Sequence, residues 1–164
     1  MESILDLVTI RSPGADGNQQ DWPPSPLQIN TFAFRICDIQ LPQCQTGFVY
    51  FLISVRTCNF TYIGECKCII SRLRNHNSGH GSSTTTLSHR RPYAIFGYIA
   101  GFNGANKSIR HHIEHKWKEK RDYLISRGID DPHNWFRIGS SVIEELDASL
   151  TNVKEALRLV ELFK

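Results

Sequence analysis

The chain has 164 residues, 40% of them hydrophobic and 21% charged, with a net charge of +3. That is enough apolar material for the core of one ordinary domain with short extensions. No apolar stretch approaches the length of a membrane span, and the acidic start Met1-Glu2-Ser3-Ile4-Leu5-Asp6 lacks the basic flank and apolar run of a secretory signal.

The five cysteines, Cys37, Cys44, Cys58, Cys66 and Cys68, are an odd number, which argues against a disulfide framework. Together with the start of the chain this predicts a reducing, intracellular compartment, nucleus or cytoplasm, with no secretion. Cys66 and Cys68 stand one residue apart rather than at the two-residue zinc spacing, and read as reduced, partly buried thiols.

Residues 1 to 45 form an N-terminal extension. Its 11–27 stretch is rich in Pro, Gly, Asp and Gln and ends in Pro23-Pro24-Ser25-Pro26, the composition of a linker. Phe32, Phe34 and Ile36 then alternate, as in a strand added to a sheet edge. Gly47 to Ile53 is a continuous β-prone run, Arg56-Thr57-Cys58-Asn59 a turn, and Phe60 to Gly64 a second β-prone run; together they predict an antiparallel hairpin. Ile69, Ile70 and Leu73 follow at helical spacing, and this helix should stop near Ser78-Gly79.

Residues 78 to 91 are Gly, Ser, Thr and His with two arginines, the composition of a mobile loop. Tyr93 to Phe102 reads as a third strand. A second helix should begin near Asn106, carry Ile109, Ile113, Trp117 and Leu124 on one side, and stop at Gly128. Pro132 to Phe136 reads as irregular. Val142, Leu146, Leu150, Val153, Leu157 and Val160 keep a 3.6-residue period and predict a single amphipathic helix over 142–163. The expected fold is α+β: a small antiparallel three-stranded sheet, with room for one extra edge strand, flanked by helices in the order β-β-α-β-α, with an added C-terminal helix. The domain boundaries follow as 46–128 for the central domain and 129–164 for a C-terminal extension. That last helix either covers the sheet or serves a protein partner or self-association.

Charge is unevenly placed. Residues 66–121 hold eleven Lys and Arg against Glu114 and Glu119, while both flanking segments are acidic. A basic middle of this kind suits a polyanion such as a nucleic acid. Within it, Lys67, Arg74, Arg90, Arg91 and Arg110 are candidate phosphate contacts.

Several residues coincide in order. Phe48-Val49-Tyr50 and Tyr62-Ile63-Gly64 place two tyrosines twelve positions apart on paired strands. Arg72 follows Gly64 by eight, His76 follows Arg72 by four on the same helix face, and Glu114 sits within the second helix ahead of Trp117. This order resembles the GIY-YIG nuclease family, and the His76-Asn77 pair, the Gly/Ser/Thr loop and the aromatic strand make it similar to eukaryotic structure-specific endonucleases of that family. The resemblance covers about half the chain.

The resemblance implies a divalent-metal-dependent endonuclease acting on a phosphodiester backbone, DNA before RNA. It implies Glu114 as ligand of Mg²⁺ or Mn²⁺, Arg72 as phosphate stabiliser, Tyr50 as general base with His76 taking its proton, and Tyr62 positioning water or phosphate; the two tyrosines could exchange roles. The alternative is a catalytically inactive nucleic-acid-binding module on the same fold. His111 and His115 form a weaker, zinc-like pair at four-residue spacing. Three departures stand out: Phe48 where the family has glycine, Glu65 where several relatives carry lysine, and Ser126-Arg127-Gly128 where many have asparagine, with Asn134 as a substitute.

Overall fold

The computed structural model describes residues 47–102 and 107–162. The linker, the strand expected over 31–40, and Cys37 and Cys44 lie outside the described residues.

Phe48–Ser54 (β1), Thr61–Cys66 (β2) and Tyr93–Ala100 (β3) form an antiparallel sheet with Arg158–Glu161 (β4), in the order β2-β1-β3-β4. β1 is buried along its whole length because it has a strand on either side and a helical layer on each face. That is why it reads as an unbroken apolar run rather than an alternating one. Tyr50 lies opposite Gly64 in the β1–β2 pair, and Phe51 and Leu52 lie opposite Gly97 and Ile95, so that Phe96 of β3 is the extra residue of a bulge.

The period of two divides β1 between two cores. Phe48, Tyr50 and Leu52 face Ile69–Ser78 (α1) through Ile69 and Leu73. Val49, Phe51 and Ile53 face Lys107–Ser126 (α2) through Ile113 and Trp117. α1 and α2 therefore cover opposite faces of the sheet. α1 ends where the sequence predicts: Gly79 adopts φ 86°, and the backbone N–H of Gly79 and His80 close on the carbonyls of His76 and Asn75.

Beyond α2 the structure corrects two expectations. Pro132–Arg137 (α3) is helical, not irregular; Pro132 occupies the first turn and the Asp131 side chain accepts from His133 N–H. In place of one helix over 142–163 the chain folds as Gly139–Glu144 (α4), a 3-10 turn Ala148–Leu150, Thr151–Ala156 (α5) and then β4. Asp147 breaks the helical run by turning its carboxylate onto Ser149 N–H. Among the described residues, the fourth strand of the sheet is this C-terminal one. Trp135, Phe136, Val142, Ile143, Leu146 and Leu157 enter the same core as Phe51 and Trp117.

Cys66 is a free thiol that burial pushes up to about 12, whereas Cys68 is disulfide-bonded. This corrects the reading of uniformly reduced thiols: an odd count excludes complete pairing, not a single bridge. No helix among the described residues is long and apolar enough to cross a membrane.

Candidate active site

Tyr50, Tyr62, Arg72 and His76 meet on the α1 face of the sheet. The strand period turns Tyr50 and Tyr62 to one side, and their rings lie 6.2 Å apart. The helical spacing of four brings Arg72 and His76 over them. Tyr50 Oη lies 2.8 Å from His76 Nε2, and Arg72 Nε donates to the same oxygen at 3.4 Å. The His76 ring is 4.8 Å from that of Tyr62. Gly64 makes this convergence possible: a Cβ there would stand 2.5 Å from Tyr50 Oη, so the second triplet needs its glycine for space.

Burial holds the Tyr50–His76 pair neutral. Burial raises the Tyr50 phenol above its ordinary range, against the pull of the Arg72 hydrogen bond. Burial first, and the Arg72 charge second, lower His76 to about 4. A neutral phenol therefore meets a neutral imidazole beside a fixed guanidinium.

Glu114 reaches this site by another route. It lies on α2, whose buried side packs against the opposite sheet face, but α2 also runs beside the edge strand β2, where Arg121 donates to Thr61 O. Lys118 donates to Glu114 Oε1 at 2.8 Å, and its ammonium stands 5.7 Å from the Tyr62 ring centroid. Glu114 thus joins the rim through Lys118 rather than by direct contact with the tyrosines. Its other oxygen faces His111 Nδ1 at 3.4 Å.

A single carboxylate can hold a hard divalent ion that keeps several waters, and at Glu114 such an ion would have to displace the Lys118 ammonium. Among the described residues no three His, Cys, Asp or Glu side chains gather as a metal cage. The zinc-like pair does not converge, since His111 turns to Glu65 and Glu114 while His115 turns to Glu119.

Glu65, the unexpected carboxylate after the second triplet, is held by Arg110 Nε at 3.0 Å, with Lys107 and His111 at 3.9 and 3.7 Å. Its charge is compensated before any phosphate arrives. The same pair corrects the reading of Arg110 as a phosphate contact: Arg110 is only 4% exposed, and its guanidinium lies on Glu65 inside the fold.

The other basic candidates divide. Lys67 is exposed and Arg74 is partly exposed on α1. The Arg90 guanidinium stacks 3.8 Å from the centroid of Phe60. Arg91 reaches the Asn77 carbonyl near the end of α1 at 3.4 Å. Asn77 itself clamps the start of β3, accepting from Tyr93 N–H at 2.7 Å and donating to Tyr93 O at 3.1 Å. Asn134 is exposed on α3, on the far side of the core from the tyrosines.

The sequence missed Thr85. It is wholly buried, and its Oγ1 lies 2.7 Å from His76 Nδ1. The loop around it is a compact turn, with Ser82 N–H and Ser82 O both engaged by Thr85 and Thr86 Oγ1 bonded to Ser82 O, where the composition predicts a mobile connection. Within a run of Ser and Thr, nothing in the sequence distinguishes the one hydroxyl that turns inward.

Residues 46–126 match the family model of the GIY-YIG catalytic domain. Neither the curated proteins nor the solved structures contain a match. With its two tyrosines, arginine and histidine gathered on one face and its glutamate at the β2 edge, the chain belongs, through this domain, to the GIY-YIG nuclease superfamily.

Proposed function

We propose that the chain is a divalent-metal-dependent endonuclease that hydrolyses phosphodiester bonds in DNA. The observation that carries this reading is the hydrogen-bonded run from Arg72 through Tyr50 to His76, buried at one end and open to the rim at the other.

Phosphodiester hydrolysis needs a base for the attacking water and positive charge for the oxygens of the crowded phosphorus. Tyr50 is too basic to lose its proton to solvent near neutral pH, so it acts by relay. Its proton passes to His76 Nε2 as its oxygen takes one from the water, whose oxygen then attacks phosphorus. Arg72, partly exposed and already beside Tyr50 Oη, presents its remaining N–H groups to the non-bridging oxygens. Tyr62 lines the same face and orients the water or the phosphate. Glu114 would hold Mg²⁺ or Mn²⁺, which supplies Lewis-acid stabilisation of the phosphate and of the departing oxygen. The exposed Lys67, with partly exposed Arg74, gives the neighbouring surface its affinity for a phosphate backbone.

The test is a nicking assay on duplex and branched DNA in magnesium and in manganese, with Glu114→Ala beside the natural chain. Metal-dependent cutting that disappears in the variant supports the reading. Tight binding without cutting in either metal would replace it with the inactive module. Cutting that survives Glu114→Ala would move the metal site elsewhere.

A further inference from the structure

We infer that Thr85 is a positioning residue of the nuclease: it fixes His76 as the Nδ1–H tautomer and so leaves Nε2 open to the Tyr50 proton. This rests on the relay proposed above and adds a residue outside it.

Two ends of the imidazole lead to the same assignment. At Nε2, the buried Tyr50 hydroxyl receives Arg72 Nε–H and needs an acceptor for its own proton. His76 Nε2 is at 2.8 Å, and among the described residues no other acceptor is bonded to it. At Nδ1, Thr85 Oγ1 lies at 2.7 Å. That hydroxyl has Ser82 O at 3.2 Å and Ser82 Oγ at 3.3 Å as acceptors for its own proton and receives Ser82 N–H at 3.1 Å, which leaves a lone pair for an incoming Nδ1–H. The reverse tautomer would aim two N–H groups at Tyr50 Oη and strand the phenol proton in a buried place.

The enclosure is built for this contact. His76 and Thr85 are both wholly buried. Gly81 passes so close that a Cβ on it would fall 2.2 Å from His76 Nδ1, so the turn closes directly over the ring and shuts water out from that side. With water excluded, the partner of one ring nitrogen decides where the proton sits on the other. In the step itself the Tyr50 O–H bond breaks and a His76 Nε2–H bond forms. The imidazolium then carries two N–H bonds, and Thr85 accepts the Nδ1–H before and after the transfer.

Long-range proton–nitrogen NMR of the ¹⁵N-labelled full chain, without DNA or metal, reads the tautomer directly. Cutting of duplex and branched DNA in magnesium, with DNA affinity measured separately, reads the consequence. The natural chain should show Nδ1 protonated and Nε2 unprotonated. Thr85→Val should shift the ring towards Nε2–H and slow cutting at least tenfold, with DNA affinity within about twofold. Thr85→Ser keeps the hydroxyl and should restore both the tautomer and cutting to within about threefold.

A natural chain with Nε2–H overturns the inference without any variant, which keeps it testable should Thr85→Val fold poorly. An unchanged tautomer in Thr85→Val overturns it, as does a changed tautomer with unchanged cutting. A natural chain that binds DNA but never cuts sinks the nuclease reading, and with it the catalytic role of Thr85, while the ring-nitrogen signals still decide whether Thr85 sets the tautomer.

Discussion

Tyr50 and His76, twenty-six residues apart in sequence, share a 2.8 Å hydrogen bond in which neither ring carries charge. The pair is a proton path at rest, since the phenol and the imidazole are both buried and both neutral. Removing the one oxygen that links them isolates the chemistry from the fold. Tyr50→Phe should lower the nicking rate by roughly 10²–10⁴-fold, the usual contribution of a general base. DNA affinity should stay within about threefold. Single-turnover kinetics beside a binding titration would check this; a variant that cuts at the natural rate would pass the base role to Tyr62.

The same burial makes His76 a source of acid sensitivity. Its folded pKa, about 4, lies below the ordinary 6.5, so in the window between these values the unfolded chain binds more protons than the folded one. Stability contributed by keeping His76 neutral is therefore complete above the upper value and is lost as the pH falls towards the lower one. The expected loss between pH 7 and pH 5 is about 2 kcal/mol. Urea unfolding at the two pH values should show it in the natural chain and show a clearly smaller change in His76→Gln.

Glu114 is tied to Lys118 at a partly open rim, where such an ion pair is worth at most about 1 kcal/mol. Glu114→Gln should therefore leave thermal stability nearly unchanged while removing metal-dependent cutting. EDTA should have the same effect on the natural chain. Isothermal titration with magnesium and with manganese would show the binding heat of the natural chain and its loss in the variant. A variant that still binds and uses the metal would take the ligand role from Glu114.

What the sequence disclosed follows from where periodicity carries information. β1, β2 and β3 are β-prone runs, α1 and α2 keep helical spacing, and each appears close to where expected. The C-terminal run misled because Val160 fits the helical period although it is a strand residue, and Leu157 fits it although it stands past the end of α5. What decides their fate is the edge of β3, which gains hydrogen bonds from Arg158–Glu161, and no local pattern records that edge. The site was readable where spacing alone places side chains together, as for Tyr50, Tyr62, Arg72 and His76. It was not readable where burial decides: Arg110 looks like any surface arginine until its partner Glu65, forty-five residues away, is known.

That pair gives a contrast between two arginine functions. Arg110→Ala leaves Glu65 half-compensated in a site where the lost guanidinium was almost fully enclosed, and should cost about 3–5 kcal/mol, the range for breaking one partner of a buried pair. The salt dependence of DNA binding should not change under conditions where the variant remains folded. Lys67→Ala, at an exposed position, should do the reverse: no loss of stability, and a salt slope shallower by about one. Parallel denaturation and salt titrations on the two variants would distinguish them.

Phe136 decides whether the residues after α2 are an appendage or part of the core. It lies well beyond Gly128, yet it is wholly buried, with its ring 5.6 Å from Phe51, 5.3 Å from Phe96 and 5.6 Å from Trp117. Phe51 is on the central strand, directly next to Tyr50, so loss of this packing loosens the strand that carries the proposed base. Phe136→Ala should cost about 3–5 kcal/mol, as expected for an aromatic deleted from a packed interior. An appendage would lose less than about 1 kcal/mol on the same substitution. Denaturant unfolding should remain a single transition in which the near-ultraviolet signal of Trp117 and Trp135 is lost together with the helical signal. Two separated transitions would instead make 129–162 a unit of its own.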